Sequence, residues 1–247
     1  VELGLGDKRA VVAASSSGLG LGTARALAAE GCRVVTNGRD EARLTEATTS
    51  VPGAVAVQGD VGTVEGAERF LAQATEELGG VDILVTNAGG PPPGTFASTA
   101  VGDYGAALEQ NLTAMAAMCH GAVPSMQERG WGRVVAITSI SVRQPIPTLL
   151  LSNTARAGLT GFLKTLAVEV AGDGVTVNSL QPGYHRTPRL TSVGDADLDA
   201  LAAAVPAGRL GDPDDFGRIA AFLCSDAAAF VTGAALNVDG GAFSGLQ

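Results

Sequence analysis

Ala14-Ser-Ser-Ser-Gly18-Leu-Gly20 carries two glycines between a short apolar run and an alanine-rich stretch. Such glycines let the backbone approach a pyrophosphate where a helix begins, because unpaired N–H groups and the helix dipole favour anions there. A tight turn without a ligand is the alternative. Further on, the chain reads Asn37-Gly38-Arg39. An acid there would hold the ribose 2′-hydroxyl of NAD. None is present, and Arg39 can pair with the 2′-phosphate of NADP or simply cap a surface turn. Ser152 and Arg156 stand four residues apart, on one face of a helix. An aliphatic hydroxyl is a poor acid. A guanidinium suits ribose hydroxyls or an anionic substrate but cannot relay a proton. Tyr184 and His185 follow Pro182-Gly183, and an imidazole can donate a proton near neutrality.

These residues need elements to hold them. Apolar runs at 9–14, 32–37, 54–58, 81–86, 133–138, 175–180 and 234–238 read as strands. Residues 18–30, 40–49, 63–78, 103–129, 152–171 and 213–225 read as helices, several ended by glycine. Strands alternating with helices imply parallel pairing with right-handed crossovers. The expected fold is α/β, a Rossmann-like doubly wound parallel sheet of about seven strands in one domain over residues 1–247. The proline run at 91–94 is too short for a domain linker and reads as a loop.

Composition narrows the function. A hydrophobic content of 46% suits a globular chain with a sizeable core. No apolar stretch reaches the ~18 residues of a membrane span. A net charge of −9 repels phosphate backbones, so nucleic acid is not an expected partner. Glu2 and the absence of a basic-then-apolar start argue against a leader, and the expected location is the cytoplasm. Cys32, Cys119 and Cys224 are scattered, form no metal or redox motif and read as buried thiols. No metal is expected.

The ordered set of motifs resembles the short-chain dehydrogenase/reductase family, most closely its β-ketoacyl-carrier-protein-reductase-like branch. Its Thr-Gly-x-x-x-Gly-x-Gly appears from Ala13 to Gly20, with Ala14 in place of the first glycine. Asn87-Ala88-Gly89, Asn111-Leu-Thr, Asn178-Ser-Leu-Gln-Pro182-Gly183 and the C-terminal Val231-Thr-Gly to Asp239-Gly-Gly complete the match.

The resemblance implies that Ala14, Ser16, Ser17, Gly18, Leu19, Gly20, Arg39, Asp60, Val61, Asn87, Ala88, Gly89, Arg156, Pro182, Gly183 and Thr187 hold the cofactor. It implies Asn111 and Ser139 as catalytic. It also places a tyrosine thirteen residues after Ser139 and a lysine four residues later, where this chain has Ser152 and Arg156. His185, with Tyr184 beside it, is the expected replacement acid. Lys164, Tyr104 and His120 read as surface, packing and structural residues. The family's subunits pair through the helices at 103–129 and 152–171, so a homodimer or homotetramer is expected. Residues 183–210 are expected to form a substrate lid, with Asp195, Asp197 and Asp199 as an acidic edge. The preferred function is an NADP(H)-dependent oxidoreductase acting on a small carbonyl or alcohol with a non-standard proton donor. A non-redox dehydratase, isomerase or cyclase, and an inactive cofactor-binding or scaffold protein, are the alternatives.

Overall fold

Most of the short apolar runs become strands covered on both faces. In the computed structural model, which describes residues 2–191 and 197–246, the strands are β1 (Arg9–Val12), β2 (Arg33–Gly38), β3 (Val55–Gln58), β4 (Ile83–Thr86), β5 (Gly132–Ile137), β6 (Val175–Pro182) and β7 (Ala235–Val238). The helices are α1 (Gly18–Ala29), α2 (Glu41–Thr49), α3 (Val64–Leu78), α4 (Asp103–Leu108), α5 (Ala114–Glu128), α6 (Leu150–Val170), α7 (Pro188–Thr191), α8 (Leu198–Ala204) and α9 (Pro213–Cys224). All seven strands pair in parallel, in the order β3-β2-β1-β4-β5-β6-β7.

Period-two alternation sorts the side chains into two cores. Val11 and Val134 pack with Phe70, Met118 and Leu159 on one face. Val12 and Val135 pack with Leu27, Phe216 and Ala220 on the other. Strand order departs in both directions from β1 and β4. The crevice where ligands bind such sheets therefore lies at the carboxyl ends of these strands. Among the described residues no helix is long and apolar enough to cross a membrane. All three cysteines are buried, and burial pushes the Cys32 and Cys119 thiols up to about 12, so they stay protonated at neutral pH.

The turn leaving β1 is held from both sides. Ala14 N donates to Asn37 Oδ1 at 3.1 Å, and Asn87 Nδ2 donates to Ala14 O at 3.1 Å. The Asn37 amide also donates to Val57 O and Gly59 O, at 3.1 and 3.2 Å. One buried asparagine thus ties the ends of β1, β2 and β3 together. Ala14 sits at φ 45°, in the left-handed region that penalises a Cβ. Behind the turn, α1 and α9 touch backbone to backbone. A Cβ on Gly22 would overlap the carbonyl of Pro213, and one on Gly217 would overlap that of Gly22.

One expectation about the elements needs correction. The helix expected over 103–129 is interrupted: α4 and α5 are joined by a π-helical turn at Glu109–Thr113. The segment expected as a lid contains α7 and α8. Asp197 caps α8, accepting from Asp199 N and Ala200 N at 3.0 Å each, and Asp199 lies in its first turn; both are exposed. Asp195 lies outside the described residues.

The close contact sets a test: Gly22→Ala should lower stability in urea unfolding by about 2–3 kcal/mol, because neither backbone can retreat. Ala14→Gly should raise it by about 0.5–1 kcal/mol, the relief of strain exceeding the entropy cost of glycine. Unfolding midpoints for the two variants check both.

Candidate active site

A cavity of about 590 Å³ runs along the carboxyl ends of the strands. At one end α1 begins. Its N-cap residue Ser17 is fully extended and makes no side-chain cap, and no acid occupies the first turn. Ser16, Ser17, Gly18 and Leu19 line the cavity, so the helix presents first-turn N–H groups and the positive end of its dipole to it. Gly18 takes φ 57°, and a Cβ there would lie 3.3 Å from Thr187 Cγ2. The turn after β1 and the loop after β6 therefore close on the same space. Ala14, Asn87, Ala88 and Gly89 form the floor of this end. Gly20 is not on the wall; it is buried behind the turn.

Past the end of β2, Arg39 lines the cavity with its side chain 71% exposed and only a loose approach, 3.7 Å, to Asp60 Oδ2. Asp60 accepts from Gly62 N at 2.9 Å, and Val61 is buried beside it. Asp40 caps α2, accepting from Arg43 N at 2.8 Å. That cap brings Arg43 onto the same wall as Arg39. Sequence reasoning missed Arg43; its position one helical turn after Asp40 was the available signal.

At the other end β5 and α6 bring Ser139, Ser152 and Arg156 to the wall. Ser139 Oγ accepts from Ser141 N at 3.1 Å. Ser152 is buried, and its hydroxyl makes no hydrogen bond among the described residues. α6 is anchored where it starts, by Gly94 N donating to Thr148 O at 2.8 Å and Leu150 N to Gly94 O at 3.2 Å. The proline loop is thereby stitched to the helix that carries Ser152. Arg156 is only 9% exposed. Its Nη1 donates to Ile137 O at 3.0 Å and Thr138 O at 3.1 Å. Burial, with a smaller effect from Arg189, brings its pKa down to about 10, so it remains a cation at neutral pH.

The loop after β6 adds Pro182, Gly183, Tyr184, His185 and Thr187. His185 touches the wall, but its ring is engaged elsewhere. It stands edge-on to Phe216 with centroids 5.3 Å apart, and Nδ1 donates to Gly183 O at 3.2 Å. Burial lowers its pKa, partly offset by the Gly183 bond, so the ring is neutral at pH 7. Asn111 is not brought to the cavity. It is buried in the π-helical turn, where Nδ2 donates to Gln110 Oε1 at 3.2 Å and Oδ1 has no partner among the described residues. The turn instead sets Gln110 on the wall.

Lys164, Tyr104 and His120 are off the wall; Lys164 donates to Gly233 O at 3.1 Å, and the His120 ring stands 6.2 Å from that of Phe162. Arg189, on α7, was not foreseen either. It lines the cavity and donates from Nη1 to Gly90 O at 3.1 Å and from Nη2 to Pro91 O at 3.3 Å, tying the segment after β6 to the loop after β4. Among the described residues no cluster of His, Cys, Asp or Glu could hold a metal ion.

Comparison with known proteins matches both the fold and the length. A family profile described as Enoyl-(Acyl carrier protein) reductase matches residues 13–242. Nodulation protein G of Azospirillum brasilense is 34% identical over 242 residues, 96% of this chain and 98% of that protein. Human Dehydrogenase/reductase SDR family member 4 is 35% identical over 249 aligned positions, 98% of this chain and 90% of that protein. L-sorbose reductase from Gluconobacter frateurii, solved with NADPH and L-sorbose, superposes with a TM-score of 0.92 at 33% identity, covering 100% of both chains. Since the matched stretch takes in the turn after β1, the β5–α6 pair of serines and the strand that closes the sheet, the chain belongs to the short-chain dehydrogenase/reductase family.

Proposed function

We propose that the protein is an NADPH-dependent reductase of a small carbonyl compound. The observation that carries this reading is one cavity that has an uncapped helix N-terminus and two arginines at one end and two serine hydroxyls at the other. The donor set fits NADPH. The N–H groups of Gly18 and Leu19, with the Ser16 and Ser17 hydroxyls, suit its pyrophosphate. Arg39 and Arg43 suit the 2′-phosphate, and Asp60 and Val61 border the adenine end. Asn87, Ala88, Gly89, Pro182, Gly183 and Thr187 then flank the nicotinamide. That the L-sorbose reductase structure holds NADPH supports the same choice.

NADPH, when bound, supplies a hydride to the carbonyl carbon, and the carbonyl oxygen gains a proton. The Ser139 and Ser152 hydroxyls donate to that oxygen and orient the carbonyl. The proton comes from cavity water through these hydroxyls, because His185 is neutral and packed against Phe216. Tyr184 shapes the wall beside them. Asn111 acts at one remove, through the π-helical turn that sets Gln110 on the wall. α7 and α8 form the lid. Subunits pair through α4, α5 and α6, where Ala157, Gly158 and Gly161 leave the outer face of α6 flat. The non-redox and scaffold alternatives have no observation of their own behind them.

NADPH fluorescence titration, followed by absorbance loss at 340 nm with a panel of ketones and aldehydes, tests the reading. Absence of NADPH binding would overturn it, as would binding without turnover of any compound. Replacing both Arg39 and Arg43 by Ser should weaken NADPH binding about tenfold to a hundredfold and leave NADH unchanged. Ser152→Ala should lower kcat by roughly tenfold to a hundredfold, whereas His185→Gln should leave it within about threefold, since no proton of the reaction passes through the ring.

A further inference from the structure

We infer that the substrate carries a carboxylate, held by Arg156 beside the reacting carbonyl. The inference rests on the reductase reading for its carbonyl, but the anion site stands on its own geometry.

Buried cations need partners, since removing a charge from water is costly unless another charge or a full set of hydrogen bonds replaces it. This chain obeys that rule elsewhere. Arg133, 3% exposed along its side chain, lies 3.4 Å from Asp226. The less buried Arg9 and Arg129 also pair, both reaching Asp82, at 2.6 and 3.4 Å. Arg156 is the exception. It is nine-tenths buried, yet no carboxylate lies within 4.0 Å of it among the described residues. Two carbonyls engage Nη1 alone, which leaves Nε and Nη2 without a hydrogen bond among the described residues.

Those carbonyls also fix the plane of the guanidinium, so its remaining fork is preorganised for a planar anion. A carboxylate matches it; a neutral ribose hydroxyl leaves the charge uncompensated.

The surroundings agree. Among the described residues, the acids on the cavity wall are Asp40 and Asp60, both at the Arg39 end. Among the described residues, the half that holds Ser139, Ser152 and Arg156 has no acid on its wall. In a chain of net charge −9, a cavity half that holds buried Arg156 and no carboxylate among the described residues attracts anions. Ser152 lies one helical turn before Arg156, so a compound bridging the two presents its carbonyl to the serine and its carboxylate to the arginine. A short keto acid has that shape.

The test measures binding of acetoacetate and levulinate, each against its methyl ester, to the protein saturated with NADP⁺, which has no hydride to transfer. Saturation-transfer NMR reads the affinity. The acids should bind at least about tenfold more tightly than the esters. Arg156→Met should abolish that preference while changing NADP⁺ affinity less than about threefold, and Arg156→Lys should restore part of it. Equal binding of acids and esters overturns the inference, and that comparison needs no variant to fold. A preference that survives Arg156→Met overturns the role of Arg156. Loss of NADP⁺ binding in Arg156→Met with carboxylate binding intact makes Arg156 a ribose clamp and also overturns it. If NADP⁺ fails to bind the unaltered protein, the reductase reading falls. The acid-over-ester preference of the cofactor-free protein then decides the anion site separately.

Discussion

The cavity at the carboxyl ends of the strands depends on the left-handed turn at Ala14 and the two asparagine side chains that hold it. Both backbone polar groups of Ala14 are satisfied by neighbouring strand ends, the N–H by Asn37 and the carbonyl by Asn87. A residue in this region of backbone space persists only when its surroundings over-determine it. Here the reward is directional. The chain leaves β1, reverses within a few residues and delivers the N-terminus of α1 to the crevice between β1 and β4. The backbone contact of Gly22 and Gly217 then fixes how deep α1 sits.

The second constraint is electrostatic. The surface is acidic overall, yet the cavity is lined by four arginines, two at each end. The pair from β2 and α2 is exposed and loosely matched with Asp60. At the other end Arg156 is held within the fold by carbonyl groups. Exposed guanidiniums can adapt to a mobile phosphate, whereas a buried one must be met by a ligand of fixed geometry. The difference in burial divides the cavity into an exposed, adaptable end and a buried, fixed one.

Much of this was legible along the chain. The seven strands and their parallel pairing followed from apolar runs alternating with helical stretches. Ser139, Ser152 and Arg156 share one wall because strand and helix geometry carry local spacing into space. What stayed hidden came from contacts distant in sequence. The ring of His185 is claimed by Phe216, thirty-one residues away along the chain. Asn111 is turned away from the cavity by a π-helical turn that no local pattern announced. Arg43 joins Arg39 only after Asp40 caps α2, and Arg189 arrives on a four-residue helix too short to show a period.

The sequence by itself determined the fold class and the place of the glycine turn, since periodicity and spacing are local properties, and it set Ser152 and Arg156 one helical turn apart where the family resemblance implied a tyrosine and a lysine. Only the tertiary structure decided how those residues are used. Burial and hydrogen bonding depend on which segments meet. They left His185 neutral and packed, and Arg156 charged, fixed by two carbonyls and without a carboxylate of its own among the described residues.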